Sequence, residues 1–72
     1  MIDVYVEIKD ICWENDDRGN IAWEHGTDCI FQMTMFESEN LENKIKEHLH
    51  KTIGHRPECW YLYELLVIGE NN

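Results

Sequence analysis

The stretch IKDICWENDDRGNIAW, residues 8–23, decides how many strands this chain forms. Just before it, Ile2, Val4, Val6 and Ile8 alternate with Asp3, Tyr5, Glu7 and Lys9. Apolar residues at every second position make one face of a half-buried strand. Inside the stretch the phase slips, because Ile11 and Trp13 are apolar at odd positions. A strand changes its buried face only by gaining a residue, so the slip predicts a bulge near Lys9-Asp10. DDRG at 16–19 follows as a turn, with Asp16 suited to its first position and Gly19 to a left-handed fourth. Read as a three-residue hairpin with a glycine bulge, it pairs Asp16 with Asn20 and sets Trp13 opposite Trp23. Ile11, Trp13, Ile21 and Trp23 then share a face, and a cross-strand aromatic pair adds roughly 0.2–1 kcal/mol. On this reading the segment around Ile21 and Trp23 is a second strand.

Working outward, HGTD at 25–28 is a second turn, and Cys29 to Phe36, rich in Ile, Phe, Met and Thr, is a third strand. ESENL then opens a helix with Ser38 as N-cap and Glu39 at its positive end. Leu41, Ile45, Leu49 and Ile53 recur every fourth residue as an apolar stripe, and Gly54 with Pro57 stops the helix. The helix therefore spans about Glu39 to Ile53, with Glu42–Lys46 and Glu47–Lys51 as pairs in the favourable order. Trp60 to Ile68 is a dense apolar run that reads as a fourth, interior strand, before a frayed tail, GENN at 69–72. The fold class is α+β: one domain, 1–72, with a four-stranded, mostly antiparallel sheet in the order β-β-β-α-β. One helix packs on one face of it. The first three strands form a meander, and the helix crosses over to set the last strand parallel to the third, with the place beside the first open to it.

A chain of 72 residues buries a small core, and partner binding or dimerisation would add to its stability. With 43% hydrophobic residues, three Trp and three Tyr, it is too apolar for a disordered chain. Asp3 and Glu7 stand where a secretory leader needs basic and apolar residues, and the apolar run Leu65–Ile68 is too short to cross a bilayer. Three cysteines without a C-x-x-C spacing read as free thiols of a cytoplasmic protein.

The strongest signal is charge. Fifteen acids face six bases, giving −9. Such a surface repels nucleic acid and anionic membranes and attracts basic partners. Six of the acids, Asp10, Glu14, Asp16, Asp17, Glu24 and Asp28, fall between residues 10 and 28 with Arg18 as the one opposing base, so this segment carries −5. On the helix, Lys44, Lys46 and Lys51 alternate with acids, leaving no positive stripe for a phosphate backbone.

HLHKTIGHRPEC, residues 48–59, gathers three histidines and a cysteine. On a helix His48 and His50 lie about 200° apart and cannot hold one ion together. A zinc pair needs i,i+3 or i,i+4 spacing, which is missing. His55 and Cys59 flank the Arg56-Pro57 turn, and a site would need Cys12 or Cys29 from elsewhere in the chain. Histidine and lysine at a helix C-terminus also suit its dipole. No metal or cofactor is therefore expected. Nor is an enzyme: the single serine reads as a helix cap, the four glycines stand apart, and a Cys-His pair such as Cys29 with His25 is conceivable, but a cysteine at a strand start is more often a small buried residue than a nucleophile.

In small size, acidity and lack of catalytic motifs the chain resembles the acidic proteins with which phages and mobile elements block host defences, anti-CRISPR inhibitors and DNA mimics among them. That resemblance rests on general character, and no residue is carried over by motif. It implies a non-enzymatic inhibitor in the host cytoplasm that occludes a basic surface of a protein partner, such as a nucleic-acid-handling host enzyme. Carboxylates can stand in for phosphates before a guanidinium. The expected partner-binding residues are Asp10, Glu14, Asp16, Asp17, Glu24 and Asp28, with Tyr5 or Trp13 as aromatic anchor. The alternatives are a homodimeric accessory or regulatory domain, whose uncovered sheet face a second copy buries, and a Cys/His metal-binding domain.

Overall fold

A computed structural model describes residues 1–70. Its elements run β1 (Ile2–Trp13), α1 (Asn20–His25), β2 (Cys29–Met35), α2 (Leu41–Thr52) and β3 (Pro57–Glu70). The fold is α+β, with a three-stranded sheet in the order β2-β1-β3 and both pairings antiparallel. The outer strands therefore run in the same direction on either side of β1, with α2 as the crossover between them, as the sequence suggests.

Along β1 the side chains of Val4, Val6 and Ile8 are buried on one face, as their period requires. The bulge is where the phase slips. The β1–β3 register breaks between Lys9 and Cys12, Asp10 takes a left-handed φ of 54°, and beyond it Ile11 and Trp13 are buried. Asp is among the few residues with a side chain that visit this conformation readily. The Ile11 amide leaves the ladder and donates to the Thr27 carbonyl at 2.9 Å.

The second strand of the expected meander does not exist. The 16–19 turn forms, with the Gly19 amide donating to the Asp16 carbonyl at 3.1 Å and Gly19 left-handed at φ 73°. The chain then enters α1 instead of returning along β1. The Asp16 carboxylate decides this, accepting from the Ile21 and Ala22 amides at 2.9 and 3.0 Å. It satisfies two of the donors that a helix start leaves open. Trp13 and Trp23 consequently part company, Trp13 being 4% exposed and Trp23 88%. The Trp13 indole N–H donates to the Gly26 carbonyl at 2.9 Å, and Ile21 and Ala22 pack against the core in place of a strand. Three strands and two helices thus replace four strands and one helix.

The main helix is two residues shorter at its start than expected. Asn40, not Ser38, caps it, accepting from the Asn43 amide at 3.1 Å. Glu39 precedes the helix and accepts from the Phe36 amide at 2.8 Å. That bond, with Lys44 nearby, holds its carboxyl below the ordinary range. Lys44 sits 3.3 Å from Glu39 and 4.0 Å from Glu47, the acid expected to pair with Lys51. Ile45 and Leu49 are buried to 1% exposure, Leu41 and Ile53 pack at the margin, and Gly54 closes the helix with a φ of 92°. One core results, made of these side chains with Val4, Val6, Ile8, Ile11, Trp13, Met33 and Met35.

The last strand departs furthest from expectation. It is an edge strand, pairing with β1 alone. Twelve helical residues give α2 a length of about 18 Å, whereas fourteen extended ones span up to about 43 Å in β3. The molecule accordingly measures 44 × 18 × 16 Å, and much of β3 extends past the helix that should cover it. Gly69 and Glu70 of the expected frayed tail belong to β3, and residues 71–72 lie outside the described residues.

Candidate functional site

Two surfaces stand out, an acidic end and an apolar edge. The acidic end is built where β1 leaves the sheet. Glu14 follows the last residue of β1, and its amide donates to the Arg56 carbonyl at 2.8 Å, which fixes the turn against the start of β3. Glu14, Asn15, Asp17 and Glu58 line one shallow hollow there. A second runs along Ile11, Cys12 and Trp13 to Asp16, Asp17 and Glu58. A third joins Asn15, Asp16 and Asp17 to Arg18, the one cation among the residues lining the three. Asp10 is exposed at the bulge, and its charge, like that of Glu58, acts on Cys12.

The expected binding residues therefore separate. Glu14, Asp16 and Asp17 come together, and Asp10 is near enough for its charge to act on Cys12. Asp16 spends its carboxylate on the α1 amides, so its role is local. Glu24 lies exposed on α1, 3.9 Å from His25, and Asp28 is exposed just before β2. Neither lines these hollows. Trp13 is core and cannot serve as a surface anchor. Tyr5 lies mid-strand, opposite Gln32 and Leu66, with its hydroxyl 3.4 Å from Glu7. Burial and the Glu7 and Glu64 carboxylates raise its pKa. It belongs to the sheet's outer face, away from the acidic end. Glu58 is the acid that reading by segment missed. It lies 41 residues after Asp17 in sequence, and only the β1–β3 pairing brings it in.

Cys12 and Cys59 are directly opposed across β1 and β3, both exposed and both free thiols. The adjoining Cys59 thiol raises the Cys12 pKa, and Glu58 and Asp10 add to the shift. His48 stacks on Phe31 at 4.6 Å, while His25 and His55 approach to 5.1 Å beside Trp13. Among the described residues, no group of three or more His, Cys, Asp or Glu side chains is placed to share a metal ion.

The apolar edge is β3 itself. Tyr61, Leu62, Tyr63, Leu65, Leu66, Val67 and Ile68 are each between 39% and 61% exposed. Leu62, Leu65 and Val67 oppose Ile8, Val6 and Val4, so they extend the core-facing side of the sheet into water. Beside them a groove of about 310 Å³ runs between α2 and β3, lined by Leu41, Ile45, Lys46, Cys59, Trp60 and Leu62 among others. On the outer face, Lys9 lies 3.8 Å above the Tyr63 ring. Among the described residues no helix is long and apolar enough to cross a membrane.

Compared with known proteins, the chain matches no family model, no curated protein and no solved structure at a significant level.

Proposed function

We propose that this protein is a non-enzymatic binding protein whose acidic end docks on a basic surface of a protein partner and occludes it. The observation that carries this reading is the convergence of Glu14, Asp17 and Glu58 at one end of an elongated molecule, around hollows that a single cation, Arg18, lines, with Asp10 near enough for its charge to act on Cys12. Carboxylates so placed meet arginine forks or lysines as a phosphate row would. The partner class that fits is a protein with a groove for nucleic acid, which this end would fill in place of the phosphates, as the resemblance to acidic anti-defence proteins suggests.

The test begins with capture of a partner from bacterial lysate, followed by kinetics at rising salt. Reversing Asp17 and Glu58 to Lys should slow association, because rim charges steer encounter and are screened over about 8–10 Å at physiological salt. Reversing Glu42 and Glu47 on α2 should have little effect. The partner's own nucleic-acid binding should be lost when the wild-type protein is added. Equal effects from both double variants, or a partner that binds nucleic acid and this protein together, would retire the reading.

A further inference from the structure

The apolar edge has a different origin from the acidic end and calls for a different occupant. Edge strands of soluble proteins are normally short, charged, bulged, interrupted by proline or covered, and of these devices β3 has bulges, at its register shifts against β1. β2, at the other edge, is seven residues long and carries Gln32 and Thr34 between its apolar residues. β3 is fourteen residues long, has its one proline at its first position, and between Trp60 and Gly69 holds a single charge, Glu64. Seven of its side chains are about half exposed on average. Leu62, Leu65 and Val67 face the core side while Tyr61 and Leu66 lie opposite Lys9 and Tyr5 on the outer face, so the exposed apolar surface wraps both sides of the strand's free edge. At several hundred Å² it stands at the upper end of the largest patch that monomers normally show, the kind that marks an interaction surface.

We infer that two copies of this chain pair β3 against β3, about a two-fold axis perpendicular to the sheet, to form one continuous sheet in the order β2-β1-β3-β3-β1-β2. Pairing about such an axis is necessarily antiparallel and closes after two copies. Charge selects the same arrangement. β3 starts at the acidic end, beside Trp13 and Glu14, and finishes opposite Ile2. A parallel pairing would bring together two clusters in which Asp10, Glu14, Asp16, Asp17 and Glu58 face Arg18. The antiparallel one places them at opposite ends of the dimer, roughly 50 Å apart at about 3.4 Å per residue, several screening lengths away. An axis at any residue but Glu64 also keeps the two Glu64 carboxylates from facing each other, which would destabilise the pair. Each copy satisfies the outward-facing amides and carbonyls of the other, and the Leu62, Leu65 and Val67 strips of the two copies lie side by side. The sequence suggests a dimer through an uncovered sheet face; the structure assigns it to an edge. This dimer does not depend on the acidic end binding anything.

Light scattering on the purified wild-type protein, from micromolar to hundreds of micromolar, should give a mass rising to twice 8.7 kDa. Amide exchange in β3 should slow as concentration rises, with β2 unaffected. The double variant Leu66→Lys, Val67→Lys changes two exposed positions, so its circular dichroism should match the wild type. It should raise the dimer dissociation constant by more than roughly tenfold. Ile30→Lys, on the β2 edge, should leave the dimer intact. A wild type that stays at 8.7 kDa at the highest concentration would overturn the inference. So would a dimer in which β3 exchange is independent of concentration, or one that Ile30→Lys weakens as much as the β3 variant does.

Discussion

Replacing Asp16 by alanine removes the two acceptors that hold the start of α1, at 2.9 Å from the Ile21 amide and 3.0 Å from the Ala22 amide. α1 has six residues and no fully buried side chain. A helix of that length does not persist on its own, so its place depends on its ends. Loss of an N-cap costs about 0.5–2 kcal/mol. Here two amides lose a charged acceptor, which argues for the upper half of that range. The site is partly open, so water recovers some of the loss. We expect about 1–2 kcal/mol, and a fall in Tm of roughly 5–15 °C for a domain of this size. Asp17→Ala, one residue on and exposed, should stay within about ±0.5 kcal/mol. Urea unfolding followed by circular dichroism measures both. The Trp13 indole N–H, bonded to the Gly26 carbonyl just beyond α1, gives a local readout by NMR. Equal stabilities for the two variants would refute the assignment of Asp16 to the cap and restore it to the docking surface.

Two further predictions concern titration and redox chemistry. Burial, then Lys44 and Lys51, lowers the His48 pKa in the folded chain. Its contribution to stability is therefore complete above the unfolded value of about 6.5 and is lost as pH falls through that value towards the lower folded one. His48→Phe keeps the stack on Phe31 and removes the proton, so this variant should lose less stability than wild type on mild acidification; equal losses in urea titrations would clear His48 of any part. Cys12 and Cys59 are partners across β1 and β3, between two register shifts; residues opposed in a regular antiparallel ladder have Cα atoms about 4.5–5.5 Å apart, within the range a disulfide spans. Oxidised glutathione should take up their two electrons and two protons, leave as two thiols, and join them. The bridge should add up to about 4 kcal/mol by loop closure. The rate should climb with pH, because the raised Cys12 pKa keeps the attacking thiolate scarce near neutrality. A stable glutathione adduct at either cysteine, with no loss of two mass units, would show that the sulfurs cannot meet.

Much of the fold can be read from local pattern. The bulge at Asp10 is visible because a period of two admits one way to change phase, and the stripe Leu41–Ile45–Leu49–Ile53 because a period of 3.6 admits one buried face. The 16–25 segment misleads because the same residues serve two ends. An Asp followed three positions on by Gly starts a hairpin turn or caps a helix, and Ile21 and Trp23 two apart favour the strand, whereas on α1 they fall on opposite sides, Ile21 against the core and Trp23 in water. Only the Asp16 hydrogen bonds separate the two outcomes. The place of β3 is illegible for another reason. A dense apolar run states that both faces want cover, but not whether this chain supplies it. The acidic end is half legible: Asp10, Glu14 and Asp17 are neighbours in sequence, whereas Glu58 joins them through a strand pairing that no local pattern encodes.

The central position of β1 bears on how the chain reaches this structure. β1 pairs with β3 from Trp13–Pro57 out to Ile2–Glu70, so each rung closes a loop of more than forty residues. Such distant rungs form slowly, because chain entropy is lost before contacts repay it. β1, α1 and β2 are synthesised first and can come together around one face of β1, but its other edge then waits, unpaired, for β3 to emerge. During that interval the nascent protein presents Val4, Val6 and Ile8 beside an open row of backbone donors and acceptors, the form most open to capture by other chains. Folding of this protein should therefore be limited by delivery of β3, and a chaperone that shields β1 would act before the sheet closes rather than after.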